Sequence, residues 1–209
     1  MKNHIRLEDS KILVTGGLGF IGSNFILNLF HKFPNCSITN LDAEFVGSNK
    51  ENLKQIAGKK GYHYVKGNIT NTEKIKRLIQ KCDIVFNFAA ESHVDRSIDH
   101  PGEFILGNTA LAYNMLEFAR EVKPEVFLQF STDEVYGDAK IGESHKEWST
   151  ILPSNPYSAS KAAQEAYAYS YWRTFGVPVV ITNTMNNIGE WQDCEKFLQI
   201  GRASCRERV

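Results

Sequence analysis

Tyr157 and Lys161 stand four residues apart in the run Ser154-Asn155-Pro156-Tyr157-Ser158-Ala159-Ser160-Lys161. Asn155 reads as a helix N-cap and Pro156 as the first helical residue, so Tyr157 is predicted in the first turn with Lys161 on the same face one turn on. A free phenol, with a pKa of ~10, is no base at neutral pH. A nearby ammonium, the helix N-terminus and an oxidised nicotinamide would all favour the phenolate. Lowering the pKa by roughly three units requires about 4 kcal/mol of differential stabilisation. A second cluster follows a strand-like run: Phe130-Ser131-Thr132-Asp133-Glu134-Val135-Tyr136-Gly137. If this segment stays extended, Asp133 and Glu134 point opposite ways and address two different substrate atoms as acid and base. Thr132 is then placed to hydrogen-bond the hydroxyl that Tyr157 deprotonates. Alone, the acidic pair would read as a solvated loop and the Tyr-Lys pair as surface residues.

A third feature gives these clusters a setting. Gly16, Gly19 and Gly22 recur at three-residue spacing in TGGLGFIG, directly after a β-branched run and at the start of a helical one. In that context missing side chains let backbone N–H groups and a helix N-terminus approach a pyrophosphate. About twenty residues past Gly22 comes Asp42, where a carboxylate accepts from ribose hydroxyls and repels a 2′-phosphate, favouring NAD over NADP. Asn68, at the end of a third strand-like run, could reach an adenine, although a lone asparagine there is more often a turn former.

The elements that must carry these residues alternate. Strands are predicted over Lys11 to Thr15, Ser37 to Leu41, Tyr62 to Lys66, Asp83 to Phe88, Glu125 to Ser131 and Pro178 to Asn183. Helices are predicted over Phe20 to Phe33, Asn71 to Lys81, Glu103 to Val122 and Pro156 to Phe175, with a weaker one near Lys50 to Ala57. The expected fold is α/β: a doubly wound parallel sheet with helices on both faces, strand order 3-2-1-4-5-6, ligands gathering at the strands' carboxyl ends. Residues 1–199 are expected to be one dinucleotide-binding domain.

Composition narrows the function. The 209 residues are 42% apolar and 23% charged, and 24 basic residues balance 24 acidic ones, leaving no net field to hold nucleic acid. No apolar run approaches the ~20 residues of a membrane span, and Met1-Lys2-Asn3-His4 lacks a signal peptide's apolar core, so a cytoplasmic location is expected. Cys36, Cys82, Cys194 and Cys205 show no C-x-x-C spacing and suit reduced thiols better than disulfides or a metal site. The final residues, Ile200 to Val209, read IGRASCRERV, which resembles an in-frame translation of a sequencing-library adapter, the alternative being a basic tail. They are set aside as a non-native tail, which leaves the remainder slightly acidic. The gene is expected to continue past Gln199.

TGGLGFIG, NFAAESHVDRS, STDEVYGD and PYSASKA together resemble the extended short-chain dehydrogenase/reductases, and among them the dTDP-glucose 4,6-dehydratases, from about Lys11 to Lys196. The resemblance implies a job for each residue. Tyr157 would take the proton from a sugar 4-hydroxyl as hydride leaves C4 for NAD, Glu134 would remove the C5 hydrogen, and Asp133 would protonate the departing C6 hydroxyl before hydride returns to C6. Phe20, Ile21, Ile69, Ala89, Ala90 and Asn108 would join the glycines, Asp42, Asn68, Tyr157 and Lys161 around the cofactor. Ser92, His93, Val94, Thr132, Asn186 and Asn187 would contact the nucleotide-sugar substrate. Two helices, Glu103 to Val122 and Pro156 to Phe175, resemble the pair that forms a homodimer interface in this family. Several positions depart from its pattern: Asn68 replaces an Asp, Gly107 a Thr, Leu111 and Ala112 a Gly-Thr, Ile188 a Tyr, and Glu190 and Cys194 prolines. These leave the redox core intact and loosen the tie to a dTDP sugar. The resemblance also implies a sugar-nucleotide domain lying mostly beyond Gln199, so the piece alone is expected to bind NAD poorly and turn over nothing. The alternatives are a 4-epimerase or decarboxylase of the same family, or a non-catalytic NAD-binding protein.

Overall fold

The structure, a computed structural model, describes residues 6–71 and 82–192. Six parallel strands make one sheet: β1 (Lys11–Thr15), β2 (Ser37–Asp42), β3 (Tyr62–Lys66), β4 (Ile84–Asn87), β5 (Val126–Thr132) and β6 (Val179–Thr184). Their order is β3-β2-β1-β4-β5-β6, the doubly wound arrangement expected from the β/α alternation. Each strand begins and ends within one residue of its predicted bounds. Around the sheet lie α1 (Phe20–Lys32), α2 (Val94–Asp99), α3 (Pro101–Val122) and α4 (Pro156–Phe175), with a 3-10 helix over Lys50–Ile56. The helix expected over Asn71 to Lys81, Cys194 and the tail from Ile200 fall largely or wholly outside the described residues. The short α2 was not expected; six residues with no side-chain cap leave little periodic signal.

Alternation along β1 divides the core in two. Leu13 faces a layer with Val85, Phe127, Met115, Leu116 and Ala168, sealed by α3 and α4. Ile12 and Val14 face the other, with Ile26, Leu29, Ile38, Leu53 and Ile56, sealed by α1 and the 3-10 helix. Strands buried on both faces explain why they read as nearly continuous apolar runs. The polar residues that interrupt them are therefore conspicuous. Thr15, Asn87 and Gln129 sit side by side in register across β1, β4 and β5, all at most 1% exposed.

The helix termini set the geometry. Asn155 accepts from the Ser158 backbone N–H (2.8 Å) while Ser158 Oγ accepts from the Asn155 N–H (3.2 Å), a reciprocal cap that fixes where α4 starts. α4 ends on Gly176 at φ +71°, a left-handed residue that closes the last turn.

Candidate active site

Gly16 turns the chain out of β1 at φ +68°, and a Cβ there would lie 2.9 Å from the backbone of Ala89. At Gly22, inside α1, a Cβ would fall 2.4 Å from the carbonyl oxygen of Gly16. The loop and helix are thus in backbone contact that only glycine permits. Gly19 is the N-cap of α1 and brings no side chain to its N–H groups. Phe20 and Ile21 form its first turn and, with Asn24, Phe25, Phe86 and Ile188, line an open cleft of about 680 Å³ whose walls include neither Tyr157 nor Lys161. Asp42 is buried at the end of β2, and both its oxygens hold the protein's own loops. Oδ2 accepts from the Leu18 N–H (3.0 Å), and Oδ1 from the Glu44 N–H and Ser48 Oγ (2.8 Å each).

The strand end after β5 is not extended. Thr132 Oγ1 accepts from the Glu134 N–H (3.3 Å), and Asp133–Tyr136 forms a 3-10 turn with Val135 and Tyr136 buried. The expectation that Asp133 and Glu134 diverge like strand neighbours is corrected on this point, since hydroxyl capping and the burial of Val135 curl the segment. Glu134 still reaches the cap of the Tyr-Lys helix, while Asp133 is held by its neighbour Thr132. Asn155 Nδ2 donates to Glu134 Oε2 (3.3 Å), and Thr132 Oγ1 donates to Asp133 Oδ1 (3.3 Å). Thr132 is therefore engaged with the acidic pair.

Tyr157 is half-buried within reach of the charges of these carboxylates. Burial first, then the charges of Glu134 and Asp133, push its phenol up from its ordinary value. This is opposite to the direction expected from the Tyr157-Lys161 pair, because burial and the two carboxylates act on the phenol and the lysine is engaged elsewhere. The Lys161 ammonium donates instead to the Phe130 carbonyl (2.6 Å) and to Gln164 Oε1 (2.9 Å). Burial pushes Lys161 down to about 8, with the charge of Glu165 opposing the fall.

Gln164 ends a chain of side chains that sequence reasoning missed. Thr15 Oγ1 donates to Asn87 Oδ1 (2.6 Å), Asn87 Nδ2 to Gln129 Oε1 (2.8 Å), and Gln129 Nε2 to Gln164 Oε1 (3.0 Å), the oxygen that also holds Lys161. Gln164 Nε2 then donates to the Asn108 carbonyl (2.7 Å). A continuous buried path of hydrogen bonds thus runs from the phosphate loop's root to the lysine. The available signal was polar residues inside apolar strands, which must be paired when buried.

The other expected residues divide. Ala89 lies against Gly16, and its N–H donates to Thr15 Oγ1 (3.3 Å), with Ala90 next to it at the end of β4. Asn108 is fully buried and occupied within the protein: Oδ1 accepts from the Glu91 N–H (2.8 Å), and Nδ2 donates to the Glu91 carbonyl (3.1 Å) and Ser160 Oγ (2.9 Å). It pins the 90–93 loop to α4 and offers no side-chain group to a cofactor. Ile69 packs in the α3/α4 core layer, and Asn68 forms a turn by accepting from the Thr70 N–H (3.0 Å), so their side chains serve the fold. Ser92, His93 and Val94 lead into α2, whose Ser97 Oγ accepts from the Tyr157 N–H (3.2 Å) and ties that segment to the start of α4. Asn186 and Asn187 are exposed beyond β6, and Asn187 folds back on Thr184 Oγ1 and the Met185 carbonyl. Neither is brought to Tyr157.

Fold and site together define a Rossmann-type domain bearing a Tyr-Lys pair and a carboxylate pair at the carboxyl ends of its central strands. The chain belongs to the GDP-mannose 4,6 dehydratase family, whose model matches residues 13–202. It is 40% identical over 190 residues to a human dTDP-D-glucose 4,6-dehydratase, covering 90% of this chain and 54% of that protein. Among solved structures it resembles dTDP-glucose 4,6-dehydratase from Bacillus anthracis in complex with NAD (TM-score 0.86, 34% identity, 95% of this chain and 61% of that one). It also resembles the UDP-glucose 4-epimerase of Thermus thermophilus in complex with NAD (TM-score 0.81, 28% identity, 92% and 60%). The chain spans about half the length of the curated relatives it matches.

Proposed function

We propose that this chain is the NAD-binding portion of an NDP-sugar 4,6-dehydratase acting on a dTDP-glucose-like substrate. The fold alone does not choose between dehydratase and epimerase, since both classes share it. The observation that carries the choice is the acidic pair. Asp133 and Glu134 lie close enough to Tyr157 for their charges to act on its phenol, and an epimerisation at C4 has no use for an acid and a base at C5 and C6. An intact Tyr157, Lys161 and acidic pair equally disfavour a non-catalytic NAD-binding protein.

The cradle fits a dinucleotide: backbone contact at Gly16 and Gly22 holds a helix N-terminus that Gly19 leaves bare, with the Asp42 carboxylate at the end of the neighbouring strand. NAD held there would supply the hydride acceptor and donor. Tyr157 in its phenolate form accepts the proton of the sugar 4-hydroxyl, and it is the forming of that phenolate that burial and the two carboxylates resist. Lys161, held by Phe130 and Gln164, keeps a third N–H for the cofactor's ribose. Once C4 is a ketone, Glu134 removes the acidified C5 proton and Asp133 protonates the C6 oxygen as it leaves as water. Asn155 holds Glu134 in place.

The test uses the longest product of this gene that contains residues 1–199, incubated with dTDP-glucose and NAD in D2O. The expected product is a 4-keto-6-deoxy sugar carrying deuterium at C5; 4-epimer formation without C5 label would overturn the assignment. A homodimer is proposed as the assembly. Leu106 and Tyr113 of α3 and Tyr169 and Trp172 of α4 are exposed on helices that pack together, and sedimentation checks it. Among the described residues no helix is long and apolar enough to cross a membrane, and the free thiols Cys36 and Cys82 support a cytoplasmic location.

A further inference from the structure

One buried charge is left without a task in the mechanism above. Glu165 lies on α4 one turn beyond Lys161 and is only 8% exposed. Its Oε1 accepts from Ser131 Oγ at the end of β5 and from Asn183 Nδ2 of β6 (2.6 Å). Asn183 Nδ2 also reaches the Thr132 carbonyl (3.3 Å), and Thr184 Oγ1 donates to the Ser131 carbonyl (3.1 Å). The contacts converge on the residues immediately before Asp133.

We propose that Glu165 is a positioning residue of this site: its carboxylate clamps the ends of β5 and β6 to α4, one helical turn beyond Lys161. The clamp fixes the strand end that carries Asp133 and Glu134 relative to the helix that carries Tyr157 and Lys161. The charge answers a separate need. A lysine buried this deeply loses its proton readily unless an anion is near. Its direct partners, the Phe130 carbonyl and Gln164, are neutral. The charge that acts on it is that of Glu165 on the same helix, which also reaches the Tyr136 phenol in the turn after β5, while Asp133 and Glu134 act on Tyr157. The cationic task of Lys161 rests on the dehydratase reading; the contacts of Glu165 do not.

The experiment follows the 13Cε resonance of Lys161 with pH in the full chain, assigned by its loss in Lys161→Arg. Glu165→Gln keeps the side-chain length and an acceptor oxygen and removes the charge. The Lys161 midpoint should fall by about one pH unit, a tenfold weaker hold on its proton; an unmoved midpoint overturns the charge role. Glu165→Asp keeps the charge but is too short for both clamp partners, so it should keep Lys161 within about 0.3 unit of the parent while lowering Tm; a parental Tm overturns the clamp. If Glu165→Gln yields no folded protein, Lys161→Met is followed at the Glu165 carboxyl carbon, whose midpoint should rise by about one unit on losing its cation, and constancy there refutes the pairing. Because neither sugar nor cofactor enters the readout, these outcomes stand or fall apart from dTDP-glucose turnover.

Discussion

Two glycines of the phosphate loop should fail in different ways when replaced by alanine. At Gly22 the added Cβ would lie 2.4 Å from the Gly16 carbonyl oxygen and 2.8 Å from the Gly17 Cα, both backbone atoms that cannot swing aside. Alanine inside a helix is favoured over glycine by about 1 kcal/mol, but forcing a methyl into occupied space costs about 1–3 kcal/mol and sometimes more. At 2.4 Å the clash belongs at the upper end, so a net loss of about 1–3 kcal/mol is expected. For a domain of this size that is a fall in Tm of roughly 2–10 °C. Gly19 differs: its φ is −73°, open to any residue, and a Cβ would meet only the Gly16 oxygen at 3.4 Å, an ordinary contact. Gly19→Ala should therefore melt within about 2 °C of the parent, yet its methyl would sit on the bare helix end where the pyrophosphate is placed. Its NAD affinity should drop by about tenfold or more, read by titration calorimetry and by the NAD-dependent rise in Tm. Wild-type NAD affinity in Gly19→Ala would refute the placement of the pyrophosphate, and an unchanged Tm in Gly22→Ala would refute the close packing of the loop.

Glu134→Gln should abolish deuterium entry at C5 with turnover reduced by about 10²–10⁴, whereas Asp133→Asn should stall after C5 exchange; mass spectrometry of recovered sugar separates them. Asn87→Leu leaves the Thr15 hydroxyl proton without its acceptor and the Gln129 oxygen without its donor in the core, and should cost about 2–4 kcal/mol in a urea melt. Glu44 is held by Lys50, then Lys66 and Tyr64, which bring its carboxyl down to about 2. A lowered folded-state pKa stabilises in full above the ordinary value near 4.5 and ceases to do so as pH falls through about 2. The Tm difference between wild type and Glu44→Gln should accordingly be open at pH 7 and closed at pH 2.

Much of this architecture was legible because its signals are local. Strand runs such as KILVT and the Asn155-Pro156 helix start are fixed by neighbours within a few residues, and both fell where expected. What escaped depends on distant partners. The curl at Asp133 arises from a Thr132 cap together with burial of Val135, and the same four residues would be extended on an open strand. The direction of the Tyr157 shift follows from its burial and from the Glu134 and Asp133 carboxylates near it, and helical spacing cannot supply either. Asn108 was expected beside the cofactor and proves to hold the Glu91 backbone, a use visible only once α3, α4 and the 90–93 loop are assembled.

The row Thr15, Asn87, Gln129, Gln164 donates in one sense only, each carboxamide receiving on one side and giving on the other. Reversing any single amide would set two oxygens or two amino groups face to face, so the orientation of all is decided together. Such a sentence of amides cannot be edited one word at a time. Descendants of this chain that alter one of these four positions should carry a compensating change at its neighbour, and an engineer redesigning the sheet beneath the lysine would have to replace the row as a unit.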